Sequence, residues 1–414
     1  MNTIRAGRAR RASCRLVNYC VNSHRFLHHN QPWAASIKPQ VLRGNCGRSI
    51  KAHSSRAFIS SDAQRSGAPA GTQTPSPPPA PTNYQPPKRG LLALLPSSWV
   101  PYAELIRLDK PAGTYYLFFP CLFSTLMAAP LAAPMALPGT VAGTTVLFLT
   151  GALIMRGAGC TINDLWDRNL DPHVTRTRLR PIARGAVTPF QGLVFTGAQL
   201  LAGLAVLLQF PLECFFYATP SLLLVASYPL AKRVTYYPQF VLGLTFSWGA
   251  FVGFPAIGVD LLSNTPALTA AALLYSSNVA WTVLYDGIYA HMDVKDDAKA
   301  GIKSVALAHD QSKRFLAGLG AVQIGLLAAS GVAAGAGPAF FMGSCGGAAL
   351  TLGYMIKKVN LQDVKDCWWW FVNGCWFTGG AISAGLAVDY ALRYISEDEA
   401  EESQSRPKTP RPNT

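Results

Sequence analysis

From Pro111 to Met155 the chain reads PAGTYYLFFPCLFSTLMAAPLAAPMALPGTVAGTTVLFLTGALIM, 45 positions without one charged residue. Roughly 20 apolar residues cross a bilayer as a helix, and charge is expelled from that stretch because hydrocarbon cannot solvate it. The run therefore holds two spans with a turn near Pro130, Pro134 and Pro138. Further charge-free runs follow at Gly185–Leu212, Cys214–Ala231, Val234–Val259, Leu261–Tyr285, Phe315–Ile356 and Trp368–Val388. Phe315–Ile356 is long enough for two spans, divided near Gly335-Ala336-Gly337-Pro338. The expected fold is an all-α integral membrane bundle of nine transmembrane helices, centred near positions 121, 149, 198, 221, 247, 276, 325, 347 and 379. Composition agrees: of 414 residues half are hydrophobic and only 14% are charged, against roughly 25% in a soluble domain.

Nine spans make eight loops, and charge sorts them. The even loops (156–184, 232–237, 286–314 and 357–367), with Arg107 and Lys110, hold eighteen Lys and Arg. The odd loops hold none, only Glu213 and Asp260. Basic loops stay on the side from which a membrane protein inserts, so the even loops share one face. A helix miscounted by one would break this segregation.

The net charge of +15 is mostly an N-terminal feature: residues 1–61 carry nine Arg, two Lys and no acid. An Arg-rich, Ser-bearing, acid-free leader without an apolar core has the composition of a mitochondrial or plastid transit peptide. Arg56-Ala57-Phe58-Ile59 resembles a processing site cut after Phe58. Residues 62–95 read as a disordered Pro-rich linker, 96–395 as the membrane domain, and 396–414 as a disordered acidic and Pro-bearing tail. The basic residues are not laid out on a folded face with interleaved aromatics, so nucleic acid is not an expected partner. None of the nine cysteines pairs as C-x-x-C, and several lie in apolar runs, as small hydrophobes do.

Two acidic clusters interrupt the even loops. The first is Asn163-Asp164-Leu165-Trp166-Asp167-Arg168-Asn169-Leu170-Asp171, where 163, 167 and 171 recur at i, i+4, i+8 and share a helical face. The second holds Asp286, Asp293, Asp296 and Asp297, where 286, 293 and 297 share a face beside Tyr289. Carboxylates so close repel unless a cation sits between them. Hard oxygen donors at this density suit Mg²⁺, which bridges carboxylates to substrate phosphates. Arg176, Arg180 and Arg184 after the first cluster, and Lys299 and Lys303 after the second, suit phosphate oxygens.

At these residues the chain resembles the UbiA family of intramembrane aromatic prenyltransferases. The first cluster matches NDxxDxxxD, and Arg176-Thr177 with Arg180-Pro181 matches the RTxxRP that follows it. Tyr285 to Asp297 looks like the YDxxYAxxDxxDD pattern of the branch that uses 4-hydroxybenzoate. Tyr228-Pro229-Leu230-Ala231-Lys232-Arg233 with Pro238-Gln239, and Arg107-Leu108-Asp109-Lys110-Pro111-Ala112-Gly113, resemble that branch's other two motifs. The resemblance runs in order from about 102 to 392. Met292 stands where a polar residue is usual, off any ligand position.

The resemblance implies a nine-helix bundle around a central cavity and a Mg²⁺-dependent transfer of a polyprenyl group from its diphosphate to 4-hydroxybenzoate. Asn163, Asp167, Asp171, Asp293 and Asp297 would hold Mg²⁺, with Asp164 and Asp286 behind them or as alternative ligands. Lys232 or Arg233 would meet the acceptor carboxylate, or else anchor the loop at the membrane; Arg107 and Lys110 carry the same two readings. Tyr289 would face a carbocation with its ring, or pack. With the leader, the implied setting is the mitochondrial inner membrane, loops toward the matrix, beside other enzymes of ubiquinone synthesis. Haem O synthases share the first motif but not this second one. A transporter would carry its charges near the membrane midplane, whereas here they sit at helix ends.

Overall fold

The computed structural model describes residues 84–173, 177–294, 297–298, 303–310 and 312–405. The leader and most of the linker lie outside these. The described residues are helical, without a strand. The helices are α1 (Val100–Leu105), α2 (Ala112–Ala128), α3 (Pro138–Trp166), α4 (Pro189–Leu207), α5 (Leu212–Ala218), α6 (Ser221–Val234), α7 (Pro238–Phe246) and α8 (Gly249–Ala256). They continue as α9 (Thr265–Ala290), α10 (Val305–Ala308), α11 (Lys313–Ala333), α12 (Gly347–Lys358) and α13 (Val364–Ser405). Start signals are local. Proline, whose missing N–H is harmless in the first turn, opens α3, α4 and α7. Thr188 and Gln191 exchange a capping box before α4, at 3.2 and 2.9 Å, and the Asn264 side chain caps α9 through Ala267 N–H at 3.0 Å.

Among the described residues, seven helical segments are long and apolar enough to cross a membrane: 112–131, 138–166, 189–207, 238–256, 265–290, 313–333 and 364–400. They coincide with seven of the nine expected spans. The other two differ. The span expected near 221 is broken into α5 and α6 at Thr219-Pro220, because proline cannot continue the backbone ladder. The span expected near 347 begins as a π-helical turn, Phe340–Gly346, before α12. There the backbones nearly touch: a Cβ on Gly343 would stand 2.7 Å from the Gly385 Cα of α13. At the other end of the chain, α13 runs on through Ser405, where a disordered tail was expected from 396.

The core is aromatic. Tyr116, Phe119 and Phe123 of α2 share one face and meet Trp281 and Tyr285 of α9. Tyr116 stacks on Tyr285 at 3.5 Å and its hydroxyl donates to the Phe371 carbonyl of α13 at 2.8 Å. Elsewhere small residues admit close contact, as expected in lipid, where apolar burial gives helices no reason to associate. Ser124 of α2 donates to the Gly249 carbonyl of α8 at 2.8 Å. On α11, Gly331 receives the Phe340 ring, whereas Gly325 faces open space. Gly335 turns the chain beyond that helix at φ 61°, a conformation glycine adopts without strain.

A Cβ on Gly385 would meet backbone of Gly343 and Ser344, which cannot rotate aside. Gly385→Ala is expected to cost about 2 kcal/mol or more by overpacking. Gly318→Ala, in open space on α11, should leave stability unchanged or raise it by up to about 1 kcal/mol. Thermal denaturation of the two variants in detergent distinguishes them; equal melting temperatures would refute the close approach of the π turn and α13.

Candidate active site

The first acidic cluster straddles the end of α3. The helix stops at Trp166, yet Asp167 N–H still donates to the Asn163 carbonyl and Asp171 N–H to that of Asp167, both at 2.9 Å. The expected stacking of 163, 167 and 171 is thus present in the backbone. The side chains diverge: Asn163 is exposed, Asp167 half-buried and Asp171 buried. Arg180 Nη1 donates to both oxygens of Asp171, at 3.2 and 3.0 Å. Asp164, one residue off that face, is wholly buried, with Arg107 Nη2 at 2.7 Å and Arg180 Nη1 at 3.2 Å from its Oδ1. Arg107 reaches it from a left-handed backbone, φ 60°, uncommon for a side-chain-bearing residue. The segment that resembled a family motif at 107–113 is therefore tied to the first cluster by charge.

The second cluster continues α9 beyond Ala290. Asp293 N–H donates to the Ala290 carbonyl at 3.2 Å and Asp297 N–H to that of Asp293 at 2.8 Å. Asp286, Tyr289, Asp293 and Asp297 are all half-buried. The Tyr289 ring lies 4.7 Å from Phe371 and 6.4 Å from Trp368. Lys303 is drawn to the neighbouring loop, with its ammonium 3.3 Å from the Val234 carbonyl and 5.2 Å from the Tyr236 ring. Lys110 is exposed beside Asp109, 3.7 Å away. Arg176, Asp296 and Lys299, and the side chains of Lys232 and Arg233, lie outside the described residues.

Arg184 does not join the acidic cluster. It donates to Glu104 Oε2 at 2.6 Å and to the Leu179 carbonyl at 2.7 Å. Its guanidinium lies 3.7 Å over the ring of Tyr84, whose hydroxyl donates to Glu104 Oε1 at 2.7 Å. Burial, then the Glu104 contact, pushes the Tyr84 phenol above its ordinary value, so it stays a donor. Tyr84 belongs to the segment expected to be a disordered linker; that end of it is held by this contact.

Arg156 was missed among the candidate site residues. It is the first charge after the Pro111–Met155 run and sits seven residues before Asn163, on the same face of α3. Its guanidinium packs against Gly113, where a Cβ would stand 2.5 Å from Nε, and lies 5.9 Å from the Phe246 ring. Nε is buried without a hydrogen-bond partner. Gly113 is one turn from Tyr116, which stacks on Tyr285, the residue before Asp286. Arg156 therefore lies by the α2 segment that connects the two acidic helix ends.

Among the described residues, no three His, Cys, Asp or Glu side chains gather tightly enough to hold a metal ion by themselves. Asn163, Asp167, Asp293 and Asp297 are nevertheless hard oxygen donors at exposed or half-buried positions. They fit a Mg²⁺ that takes one or two carboxylates and completes its shell with waters and substrate phosphate. Asp164 and Asp171 fit it less well: Arg180 holds both oxygens of Asp171, and Asp164 is wholly buried with two guanidiniums on Oδ1.

Residues 117–379 match the UbiA prenyltransferase family. A relative from Saccharomyces cerevisiae named 4-hydroxybenzoate polyprenyltransferase, mitochondrial, is 48% identical over 302 residues, 72% of this chain and 78% of its own length. The apo structure of a UbiA homolog from Aeropyrum pernix K1 matches with a TM-score of 0.54 at 21% identity, over 67% of this chain and 97% of that one. A UbiA homolog from Archaeoglobus fulgidus bound to GPP and Mg²⁺ matches with a TM-score of 0.50 at 15% identity, over 71% and 99%. At these identities the two structures speak to fold alone. The fold, the two acidic helix ends and the sequence match agree: this chain belongs to the UbiA prenyltransferase family.

Proposed function

We propose that the chain transfers a polyprenyl group from polyprenyl diphosphate to the ring carbon ortho to the hydroxyl of 4-hydroxybenzoate, in a Mg²⁺-dependent step of ubiquinone synthesis. The observation that carries this reading is the buried, unpartnered Nε of Arg156 beside the α2 segment that links the acidic ends of α3 and α9. It supports a carboxylate partner for Arg156 near the acidic helix ends that would hold the diphosphate. The 48% identity to a protein of that name supports the choice of substrates.

Mg²⁺ held by Asn163, Asp167, Asp293 and Asp297, with Asp286 close by, would stabilise charge on the leaving diphosphate. Arg107 and Arg180 donate to its oxygens from the flank. Lys110, Arg176, Lys299, Lys232 and Arg233 are further cations that the sequence offers to the two substrates. Arg156 receives the acceptor carboxylate, which directs the phenol away from α3. Tyr289, set against Phe371 and Trp368, turns a ring face to the allylic carbon as its C–O bond breaks. The ring carbon forms the new C–C bond as the diphosphate leaves, and the ring proton then passes to a base, with the released diphosphate at hand to accept it. The aromatic wall of Tyr116, Phe119 and Trp281 excludes water, which competes for the cation.

All nine expected segments cross the membrane in this reading, the broken fourth and eighth included. Residues 1–61 are removed as a leader, the domain lies in the mitochondrial inner membrane, and the acidic ends face the matrix. Other enzymes of ubiquinone synthesis take up the product.

Membranes carrying residues 59–414, given labelled 4-hydroxybenzoate, a polyprenyl diphosphate and Mg²⁺, should yield a prenylated hydroxybenzoate. EDTA should abolish it, and Asp167→Asn and Asp293→Asn should each lower the rate about a hundredfold or more, the scale of losing one charge-stabilising group. Product formed in EDTA would refute the metal assignment. Arg156→Gln should raise the acceptor KM about tenfold or more, the value of a charge-assisted hydrogen bond, with the donor KM unchanged. An unaltered acceptor KM would remove Arg156 from the site.

A further inference from the structure

Beside the first acidic cluster, side chains from separate segments close into a circuit. Glu104 accepts from Arg184 at 2.6 Å. Arg184 holds the Leu179 carbonyl at 2.7 Å, fixing the segment that carries Arg180. Arg180 reaches both Asp171 and Asp164. Asp164 accepts from Arg107 at 2.7 Å, and Arg107 Nη1 returns to the Glu104 carbonyl at 2.9 Å. Three carboxylates (Glu104, Asp164, Asp171) offset three guanidiniums (Arg107, Arg180, Arg184), so the circuit is neutral. Asp164 is its hub: the side chain is 0% exposed, both guanidiniums sit on Oδ1, and Oδ2 has no partner. The side chains of Arg107 and Arg180 keep 19% and 21% exposure, so neither is sealed in as Asp164 is.

We propose that Asp164 is a positioning residue that holds Arg107 and Arg180 rigid and charge-compensated for the moment of C–O cleavage, and that the Glu104 side chain, through Arg184, holds the segment that carries Arg180. The inference rests on the donor-diphosphate reading above. A compensated guanidinium attracts a resting diphosphate weakly. Donors already fixed in place need no reorganisation when charge grows on the leaving group, and interactions realised only then raise kcat rather than affinity. Freed from Asp164, Arg107 carries uncompensated charge and Arg180 keeps only Asp171, so both can close on the ground-state diphosphate instead.

The test is Asp164→Asn in the full chain. The expected result is a kcat lowered about tenfold or more, a KM for polyprenyl diphosphate unchanged or lowered, and an unchanged Mg²⁺ concentration for half-activity. Binding of radiolabelled farnesyl thiodiphosphate should be at least as tight as in the wild type. A raised donor KM with kcat kept, or weaker thiodiphosphate binding, overturns the proposal. So does a shifted Mg²⁺ requirement, the signature expected of Asp167→Asn. A buried pair stripped of one charge can prevent folding. If Asp164→Asn does not accumulate, Glu104→Gln decides: a lower kcat at constant donor KM supports the circuit, and an unchanged kcat overturns it. Wild-type membranes that make no product refute the substrate reading instead, and the thiodiphosphate comparison then still judges the positioning role.

Discussion

Burying a carboxylate is costly unless opposite charge accompanies it. Asp164 is buried completely and brings two arginines with it, and much of the local structure is arranged around that requirement. Arg107 leaves the common backbone regions to reach it. The chain after the first cluster doubles back so that Arg180 faces it. Since Arg107 lies just before α2, the pair also sets where that helix begins. Gly113, which backs Arg156, and Tyr116, which stacks on α9, follow from that start. An electrostatic contact at one helix end thus carries into the aromatic centre of the bundle.

Within the bundle, packing and buried hydrogen bonds do what apolar burial does in water. Ser124 donates to the Gly249 carbonyl, Ser277 to that of Gln323 at 2.8 Å, and Ser344 to that of Ile382 at 2.7 Å. Each joins two helices through a side chain too short to stretch, so it demands close approach. Glycine or alanine supplies the room where helices meet, as Gly347 does against Ala381. The rods are consequently held by specific contacts at specific heights, which suits a site assembled from the ends of several of them.

The membrane architecture was legible because charge is excluded from hydrocarbon, and the uncharged runs overlap the observed helices closely. What composition could not register was continuity within a run. Cys214–Ala231 reads as one apolar segment, and only Pro220 signals the break there. The π turn at Phe340–Gly346 packs directly on Gly385, a contact distant in sequence. The acidic faces were legible from periodicity, but not which acids are engaged by arginine. Asp164 is next to Asn163 in sequence and opposite in environment, because a 100° step around the helix turns it toward Arg107. Arg156 was legible in principle as a lone charge closing an apolar run. Its proximity to Gly113 belongs to tertiary structure, as does the turning of Lys303 toward Val234.

The last helix is 42 residues long. At 1.5 Å per residue that is about 63 Å, roughly twice the thickness of a bilayer's hydrocarbon core. Its charge-free portion ends at Val388, and the extension ends in Glu397, Asp398, Glu399, Glu401 and Glu402. The 17 residues of the helix beyond Val388 rise about 25 Å, and the first of them are still docked on the bundle: Asp389 accepts from the Gly337 and Phe340 N–H groups and Tyr390 donates to the Ala136 carbonyl. The acidic tip is repelled by anionic lipid headgroups, an effect that fades within a Debye length of about 8 Å at physiological salt. The extension therefore behaves as a mast rather than a strap: it continues a helix docked through Asp389 and Tyr390, and its exposed Glu397, Asp398 and Glu399 carry negative charge past that docking point.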